Sequence, residues 1–289
     1  MTWRIVVISS TCKLDLKLNH LVIRGEEIRR IHLSEIAVLM IENTAISLTA
    51  ALLSELVKRK IKVIFCDDRR NPQCELLPYY GSVDSTDKVR KQISWDKDIK
   101  EIVWTEIVKD KIHKQSLVLE KFGQYERATL LRSYIDQIKP NDVSNREGHA
   151  AKVYFNALFG MDFTRGHDGD PINSCLNYGY TLLLSAFNRE ISIAGYMTQF
   201  GIFHDNIFNP FNLGSDFMEP FRPLVDICVK EMDPMFLGTE EKRKLTDVLN
   251  REVLVDGRNN YVINAIRIYC NSVFDAIEEK NVGKLRFYE

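Results

Sequence analysis

The spacing of apolar residues in this 289-residue chain changes once, close to residue 81, and this change constrains the fold more than any other feature. Before it, residues 12–18 alternate strictly between apolar and polar side chains, which is the period of a strand with one buried face. From Ala45 to Val57 the apolar spacing is three to four, which predicts an amphipathic helix that Asn43 or Thr44 could cap. The other β-prone runs lie at residues 4–9, 21–24, 30–33, 36–41 and 62–67.

After residue 81 the spacing of apolar residues becomes that of helices. Residues 82–88 are short, polar and acidic, which predicts a linker. Because strands come first and helices follow without alternating, we predict an α+β protein with a β-rich domain at 1–81 and a larger helical domain at 89–289. The helical period covers residues 87–119, 123–138, 146–158, 171–198, 214–231, 239–250 and 258–279.

Charge excludes one class of protein. The chain has 39 basic and 40 acidic residues, a formal net charge of -1. A constitutively basic protein that coats DNA is excluded, since its whole field would have to attract phosphate. A local phosphate site remains open.

The cysteines and the N-terminus bear on the compartment. The six cysteines contain no C-x-x-C pair, so a structural zinc site is not expected, and buried free thiols in a reducing cytosol are the simplest interpretation. The apolar run after Arg4 is too short for a signal peptide or a membrane span. We therefore expect a soluble, cytoplasmic protein.

Glu147 is the first candidate for a functional acid. In the helix that begins near Arg146, it shares a row with Ala150 and Tyr154, so it points toward the core from the first turn. A carboxylate there needs a partner. Either it completes a capping box with Ser144, or it binds a ligand, and the residues alone leave both open.

Two further features carry candidate ligands. Asp216 and Glu219 lie three apart on one helix face, where like charges need a cation or a basic residue such as Arg222 against them. His204 lies in a loop after Gly201, which we expect to end the preceding helix, and a purely structural role for this histidine is open. Together with Glu147, His204 and Glu219 would offer one nitrogen and two carboxylates, a set that suits manganese or magnesium.

A rival polar cluster lies at His167, Asp168 and Asp170. Because Pro171 follows Asp170, we interpret Asp170 as a helix N-cap and the other two as surface loop residues. In the helix that follows, Asn173 and Asn177 form a polar row that must bond a neighbouring helix, the backbone or the surroundings of a metal site.

These residues, taken in order, resemble the CRISPR-associated integrase family, the catalytic subunit of the complex that inserts new spacers into CRISPR arrays. The resemblance rests on four motifs and spans most of the chain. The motifs are REG at 146–148, DPINSCLNYGYTLL at 170–183, GIFH at 201–204 and DFMEPFRPLVD at 216–226. The compact size and the N-terminal segment look more like the subset that accompanies single-protein (type II) effector systems.

The resemblance implies a fold, a metal site and partners. It implies an N-terminal β-sandwich, which would serve dimerisation and DNA contact, joined to a helical catalytic domain. Glu147, His204 and Glu219 would bind one Mg²⁺ or Mn²⁺, with Asp216, Asn173 and Asn177 behind them. Members dimerise and flank a small ferredoxin-like partner dimer, on DNA that comprises the captured fragment duplex and the leader-repeat. An association with the effector nuclease is a further open possibility.

The implied reaction is attack of a fragment 3′-hydroxyl on a phosphodiester at the repeat boundary, without a covalent enzyme intermediate. Arg146, Lys152 and Arg222 could position phosphates, although a structural ion pair is as good an interpretation of each. Two alternatives stay open: a metal-dependent nuclease for branched or single-stranded DNA, with water as the nucleophile, and a non-catalytic DNA-bridging scaffold.

Overall fold

The N-terminal part of the chain is built from short strands and one helix. The computed structural model describes residues 4–76, 84–167 and 169–289. The chain is a mixed α+β protein, as predicted, and its strands are concentrated at the beginning. The N-terminal elements are β1 (Arg4–Ile8), β2 (Lys13–Lys17), β3 (His20–Arg24), β4 (Ile28–His32), β5 (Ile36–Ile41), β6 (Ser47–Leu48), α1 (Ala50–Lys58), β7 (Lys62–Cys66) and β8 (Pro72–Leu76).

These strands form two four-stranded sheets. One has the order β1-β5-β7-β8, in which only β8 runs antiparallel to its neighbour; the other has the order β4-β3-β2-β6, in which β6 runs parallel to β2. Apolar side chains from both sheets and from α1 share one core, which includes Leu14, Leu21, Leu39 and Leu52. The alternation at residues 12–18 therefore reflects a strand with one face on this core.

Two local predictions in this part were wrong. Helix α1 begins at Ala50, not near Ala45, and its cap is Thr49, whose side chain accepts a hydrogen bond from the backbone N–H of Leu52. Asn43 instead closes a turn by accepting from Ala45 N–H, and residues 47–48 pair with β2. Strand β8 was missed because it begins at a proline, which edge strands tolerate.

The larger part is helical, with one hairpin. The predicted helix at 87–119 is two helices, because Asp96 caps a new helix after the break at residues 94–96. The chain is already helical from Ser85, so the linker predicted at 82–88 is too long, and its residues 82 and 83 lie outside the described ranges. The helices are α2 (Ser85–Ile93), α3 (Lys97–Lys121), α4 (Tyr125–Ile135), α5 (Arg146–Phe159), α6 (Pro171–Ala194), α7 (Asn212–Met218), α8 (Arg222–Met232), α9 (Thr239–Asp247) and α10 (Val262–Glu278).

Two further predictions about helix ends were wrong. Helix α6 stops at Ala194 because Gly195 takes a left-handed conformation, four residues before the predicted end, so Gly201 does not terminate it. The segment after residue 250 is a hairpin, β9 (Glu252–Val255) and β10 (Arg258–Tyr261), where a helix from 258 was predicted. Its turn is Asp256-Gly257, with positive φ at both residues, a dipeptide typical of two-residue hairpins.

Strand β5 joins the two parts. All six of its residues are buried, and they divide between two cores. Leu39 and Ile41 face the N-terminal core, whereas Val38 and Met40 belong to the core of the helical part. A strand covered on both faces explains the unbroken apolar run at 36–41.

The cysteines and helix hydropathy complete the description. All six cysteines are free; five are buried, as expected, and Cys74 is exposed. Within residues 4–76, 84–167 and 169–289, we find no helix that is both long enough and apolar enough to cross a membrane.

Candidate active site

Glu147 is held at the start of α5 by a cap that the sequence did not reveal. The buried Asp142 carboxylate accepts hydrogen bonds from the backbone N–H groups of Arg146 and Glu147, each at 2.8 Å. Ser144 bonds Asp142 and the Gln137 carbonyl instead of capping the helix. Because Asp142 satisfies the first turn, the Glu147 side chain is not used in a capping box and is directed elsewhere.

Lys111 lies between two of the predicted acids. Its Nζ is 2.5 Å from Glu147 Oε1 and 2.5 Å from Glu219 Oε2. Arg222 donates from Nε to the other oxygen of Glu219, at 2.8 Å. Lys111 and Glu219 are only 7% and 3% exposed, whereas the side chains of Glu147 and Arg222 at the edge of this network are partly exposed.

Burial and charge act in opposite directions in this network. Burial alone raises the pKa of the Glu219 carboxyl, but Arg222 and Lys111 outweigh it and hold that pKa well below its ordinary value. Burial likewise lowers the pKa of the Lys111 ammonium, and the Glu219 and Glu147 carboxylates more than restore it. Both groups are therefore charged at neutral pH, and each depends on the other to be so.

His204 is oriented by Asp216. The fully buried Asp216 carboxylate accepts from the backbone N–H groups of Ile202, Phe203 and His204, and from His204 Nδ1 at 2.5 Å. Since a carboxylate can only accept, Nδ1 carries the proton, and Nε2 is the ring nitrogen left for a ligand. This hydrogen bond also raises the pKa of His204 above its ordinary value, against the effect of burial.

The loop around His204 leaves no space for extra atoms. A Cβ at Gly201 would lie 2.6 Å from Asp216 Oδ2, so the glycine is required by this close approach and not by a helix end. Trp104, which is fully buried on α3, stacks on Phe203 with ring centroids 4.4 Å apart and meets the edge of the His204 ring at 5.7 Å. The imidazole is thus fixed by packing as well as by Asp216.

The three predicted ligands interact with one another through charge. Glu147 and Glu219 meet at Lys111, and the charges of both carboxylates raise the pKa of His204. In the part of the chain that the structure describes, however, no three His, Cys, Asp or Glu side chains are close enough to hold an ion as they stand. The donors fit a hard divalent ion, namely two carboxylates and one free imidazole nitrogen, but the position between the carboxylates holds the Lys111 ammonium.

A groove opens beside His204. It is a cavity of about 470 Å³ whose lining includes Lys97, Lys100, Phe203 and His204. The Lys97 side chain is largely exposed. The lining also contains Asp205 and Glu101, which pairs with Lys97 at 3.6 Å, so the groove carries charges of both signs.

The polar row on α6 bonds the backbone, one of the partners left open, and an arginine. Asn173 donates to the Thr164 carbonyl at 2.8 Å, and Arg165 donates to the side-chain oxygens of Asn173 and Asn177, the latter at 3.0 Å. The row therefore supports the loop before α6, and the described hydrogen bonds do not link it to the three predicted ligands. Asp170 caps α6 as expected, and His167 is exposed. Asp168 lies outside the described residues.

The three candidate phosphate contacts occupy different surroundings. Arg222 is a half-buried ion-pair partner of Glu219, and its guanidinium lies 4.5 Å from the Tyr180 ring centroid. Arg146 is half-buried, with its guanidinium 5.5 Å from the Tyr134 ring centroid. Lys152 is exposed on α5. Of the two interpretations left open for Arg222, the ion pair describes what the structure contains.

Sequence reasoning missed Lys111, Asp142 and Trp104. One signal was available for Lys111, because it lies at helical spacing from Ile107 and Val108, both fully buried. A lysine on an apolar face needs an acidic partner. Which acids it meets depended on the fold.

The chain is similar to known proteins along most of its length. Residues 5–232 match the family model described as CRISPR associated protein Cas1. The CRISPR-associated endonuclease Cas1 of Neisseria meningitidis serogroup C (strain 8013) is 32% identical over 295 residues, which cover 100% of this chain and 97% of that protein. Among solved structures, a casposase bound to integration product is similar with a TM-score of 0.77 and 21% identity, over 97% of this chain and 92% of that one. A Cas6-RT-Cas1–Cas2 complex is similar with a TM-score of 0.74 and 18% identity, over 98% of this chain and 36% of that one.

Proposed function

The chain belongs to the CRISPR-associated protein Cas1 family, and from this membership we propose that it is a metal-dependent DNA integrase. It joins the 3′-hydroxyl ends of captured foreign DNA fragments to a CRISPR array by transesterification. The observation that carries the proposal is the pairing of Glu147 and Glu219 through Lys111, together with a His204 that Asp216 orients at the wall of the groove. The similarity to a casposase bound to its integration product supports integration over simple cleavage.

Glu147, His204 through Nε2, and Glu219 would hold the ion, Mg²⁺ or Mn²⁺. When bound, such an ion polarises the phosphoryl oxygen and lowers the pKa of the attacking hydroxyl. The chain's own residues do the rest. Asp216 keeps the imidazole in the tautomer that presents Nε2, and Arg222 fixes the orientation of the Glu219 carboxylate. Lys97 and Lys100 line the approach to His204, where they would bind the DNA backbone.

The partners follow from the family. The N-terminal part would serve dimerisation and DNA contact, and the helical part catalysis. The protein would work as a homodimer with a small ferredoxin-like partner dimer, on a fragment duplex and a leader-repeat. Similarity to the Cas1 part of a Cas6-RT-Cas1–Cas2 complex supports such an assembly. The type II subset, suggested by the compact size and the N-terminal segment, and a cytoplasmic location are part of the same proposal.

A nuclease acting on branched or single-stranded DNA is the second candidate. The Neisseria relative is named an endonuclease, and the same three residues would serve hydrolysis if water replaced the 3′-hydroxyl. The two functions differ in their products, because only integration leaves the fragment covalently joined to the target.

The test is a strand-transfer assay with the full chain, with and without the partner protein. A labelled 3′-hydroxyl duplex and a supercoiled array plasmid are incubated with Mn²⁺, and joined and cleaved products are separated. We expect joined product from the unmodified protein and none from His204→Ala. His167→Ala, a change at an exposed histidine outside the groove, is the matched control and should keep full activity. Cleavage without joining would favour the nuclease, and equal activity of His204→Ala would contradict the site assignment.

A further inference from the structure

The ammonium of Lys111 connects two acids that come from separate parts of the chain. Glu147 opens α5, Glu219 lies in the 3-10 turn Glu219–Phe221, and Lys111 lies in α3. Because each carboxylate oxygen is 2.5 Å from the same nitrogen, the two oxygens are at most about 5 Å apart. At that separation in a buried site, two carboxylates repel each other strongly unless a cation lies between them.

The position of this nitrogen is the position that a divalent ion would take. A metal bound to both oxygens also lies between them, at about 2.0–2.2 Å from each, so only a small closing movement separates the two arrangements. Both cations cannot occupy the gap at once. The long, flexible stem of a lysine allows its ammonium to leave without moving the helix.

Lys114, on the next turn of α3, is a buried lysine with which Lys111 can be compared. It pairs with Asp110 on its own helix, and its Nζ lies 4.1 Å from the Tyr288 ring centroid. It joins no second acid among the described ion pairs. Lys111 is different because both of its acids are the ones assigned to the metal, and it has no partner on its own helix among the described contacts.

We propose that Lys111 is a displaceable counter-ion of the metal site. In the metal-free protein its ammonium holds Glu147 and Glu219 together, and a divalent ion enters by displacing it. The inference rests on the proposed function in one respect, that these two carboxylates bind the metal. It follows that Lys111 keeps the site assembled and weakens metal binding by competition. Lys111 is a positioning residue, since it acts through the two acids.

The test measures metal binding directly and needs no DNA. Mn²⁺ is titrated calorimetrically into the full chain, its Lys111→Met and Lys111→Gln variants, and Lys109→Gln. Lys109 pairs with Glu106 on the accessible side of the same helix and is the matched control. We expect the Kd for Mn²⁺ to fall roughly ten-fold or more in both Lys111 variants, since a buried competing charge has been removed, and to stay unchanged in the control.

Thermal unfolding gives a second readout. Without metal, both Lys111 variants should unfold at a lower Tm than the unmodified chain, because the buried Glu219 and the half-buried Glu147 have lost their shared counter-ion. Saturating Mn²⁺ should close that gap, since the ion replaces the ammonium.

Unchanged or weaker Mn²⁺ binding by both Lys111 variants would overturn the inference. So would variants that stay unfolded in saturating Mn²⁺, or the absence of Mn²⁺ binding in every form of the protein. A protein that shows the expected competition but joins no DNA would contradict the proposed function and leave the role of Lys111 standing.

Discussion

Two buried layers lie along the same helices and use their acids differently. The site layer contains Glu147 and Glu219, and seven residues further along the same segments the tyrosine layer contains Tyr154 and Asp226. Seven residues are two helical turns, so each pair shares a face. The two layers therefore have the same scaffold but different chemistry.

The difference lies in what faces each carboxylate. In the site layer Glu219 meets Lys111 and Arg222, which hold its pKa well below the ordinary value. In the tyrosine layer Asp226 accepts hydrogen bonds from the hydroxyls of Tyr154, at 3.0 Å, and Tyr180. There burial outweighs those hydrogen bonds and raises the pKa of Asp226 to about 6. A buried acid with cations is ready to hold a metal, whereas one with phenols is a structural group.

The largest expected effect compares one acid from each layer in strand transfer. Glu219→Gln keeps the shape of the side chain but removes the charge that would hold the ion, so we expect joined product to fall by roughly two to three orders of magnitude or more. Asp226→Asn removes the corresponding charge two turns away and should leave strand transfer within about threefold, because the described hydrogen bonds of Asp226 go to Tyr154 and Tyr180 and to none of the three proposed metal ligands. Initial rates of joined product, with a labelled duplex and Mn²⁺, measure both.

Both variants must first be shown to keep the oligomeric state of the unmodified protein and to unfold cooperatively. Comparable losses of strand transfer in the two variants would mean that the two layers act as one unit, which would contradict their separate roles.

The second effect is on stability and its pH dependence. The pKa of Asp226 is about 6 in the folded protein against 3.8 for the ordinary group, so between these values the folded state binds more protons than the unfolded one. Stability from this group is therefore present at low pH and is lost as pH rises from about 4 to 6. The difference corresponds to at most about 3 kcal/mol above pH 6.

Asp226→Asn should remove the free-energy cost of keeping this buried carboxylate charged above pH 6. We expect the variant to be more stable than the unmodified protein at pH 7.5, by up to about 3 kcal/mol, with the difference shrinking toward pH 4. Urea unfolding at several pH values checks it. A variant that is less stable at pH 7.5 would show that the nearby Arg222 and Arg165 charges matter more than burial.

The sequence predicted which acids of the two layers point inward, but it did not predict what they contact. The inward row of α5 could be read from spacing, since Ala150 and Tyr154 fix which face is buried, and the Asp216–Asp226 segment could be read as one acidic face. The partners of these acids could not be predicted from the sequence. Lys111 approaches from α3, and the meeting of three segments depends on packing that no local pattern records.

The same limit explains the errors in the fold. Periodicity identified most strands and helices, but it placed the start of α1 at the first apolar residue and not at its cap, Thr49. It also extended a helix across the hairpin at Asp256-Gly257, although that dipeptide is a turn signal in its own right. Helix caps and turns depend on one or two side chains. The spacing of apolar residues is a property of a whole segment, so it does not locate them.

The smallest expected effect concerns a single hydroxyl in the tyrosine layer. Tyr154→Phe removes one of the two phenol donors to Asp226 and leaves a fully buried carboxylate with fewer partners. We expect a loss of about 1 kcal/mol in the free energy of unfolding at pH 7.5, and less at pH 4, where Asp226 is protonated and needs the donor less. Strand transfer should be unchanged, since Glu147 on the same helix keeps its contact with Lys111. A loss of strand transfer without a loss of stability would place Tyr154 in the site layer, because a merely structural hydroxyl cannot separate the two measurements.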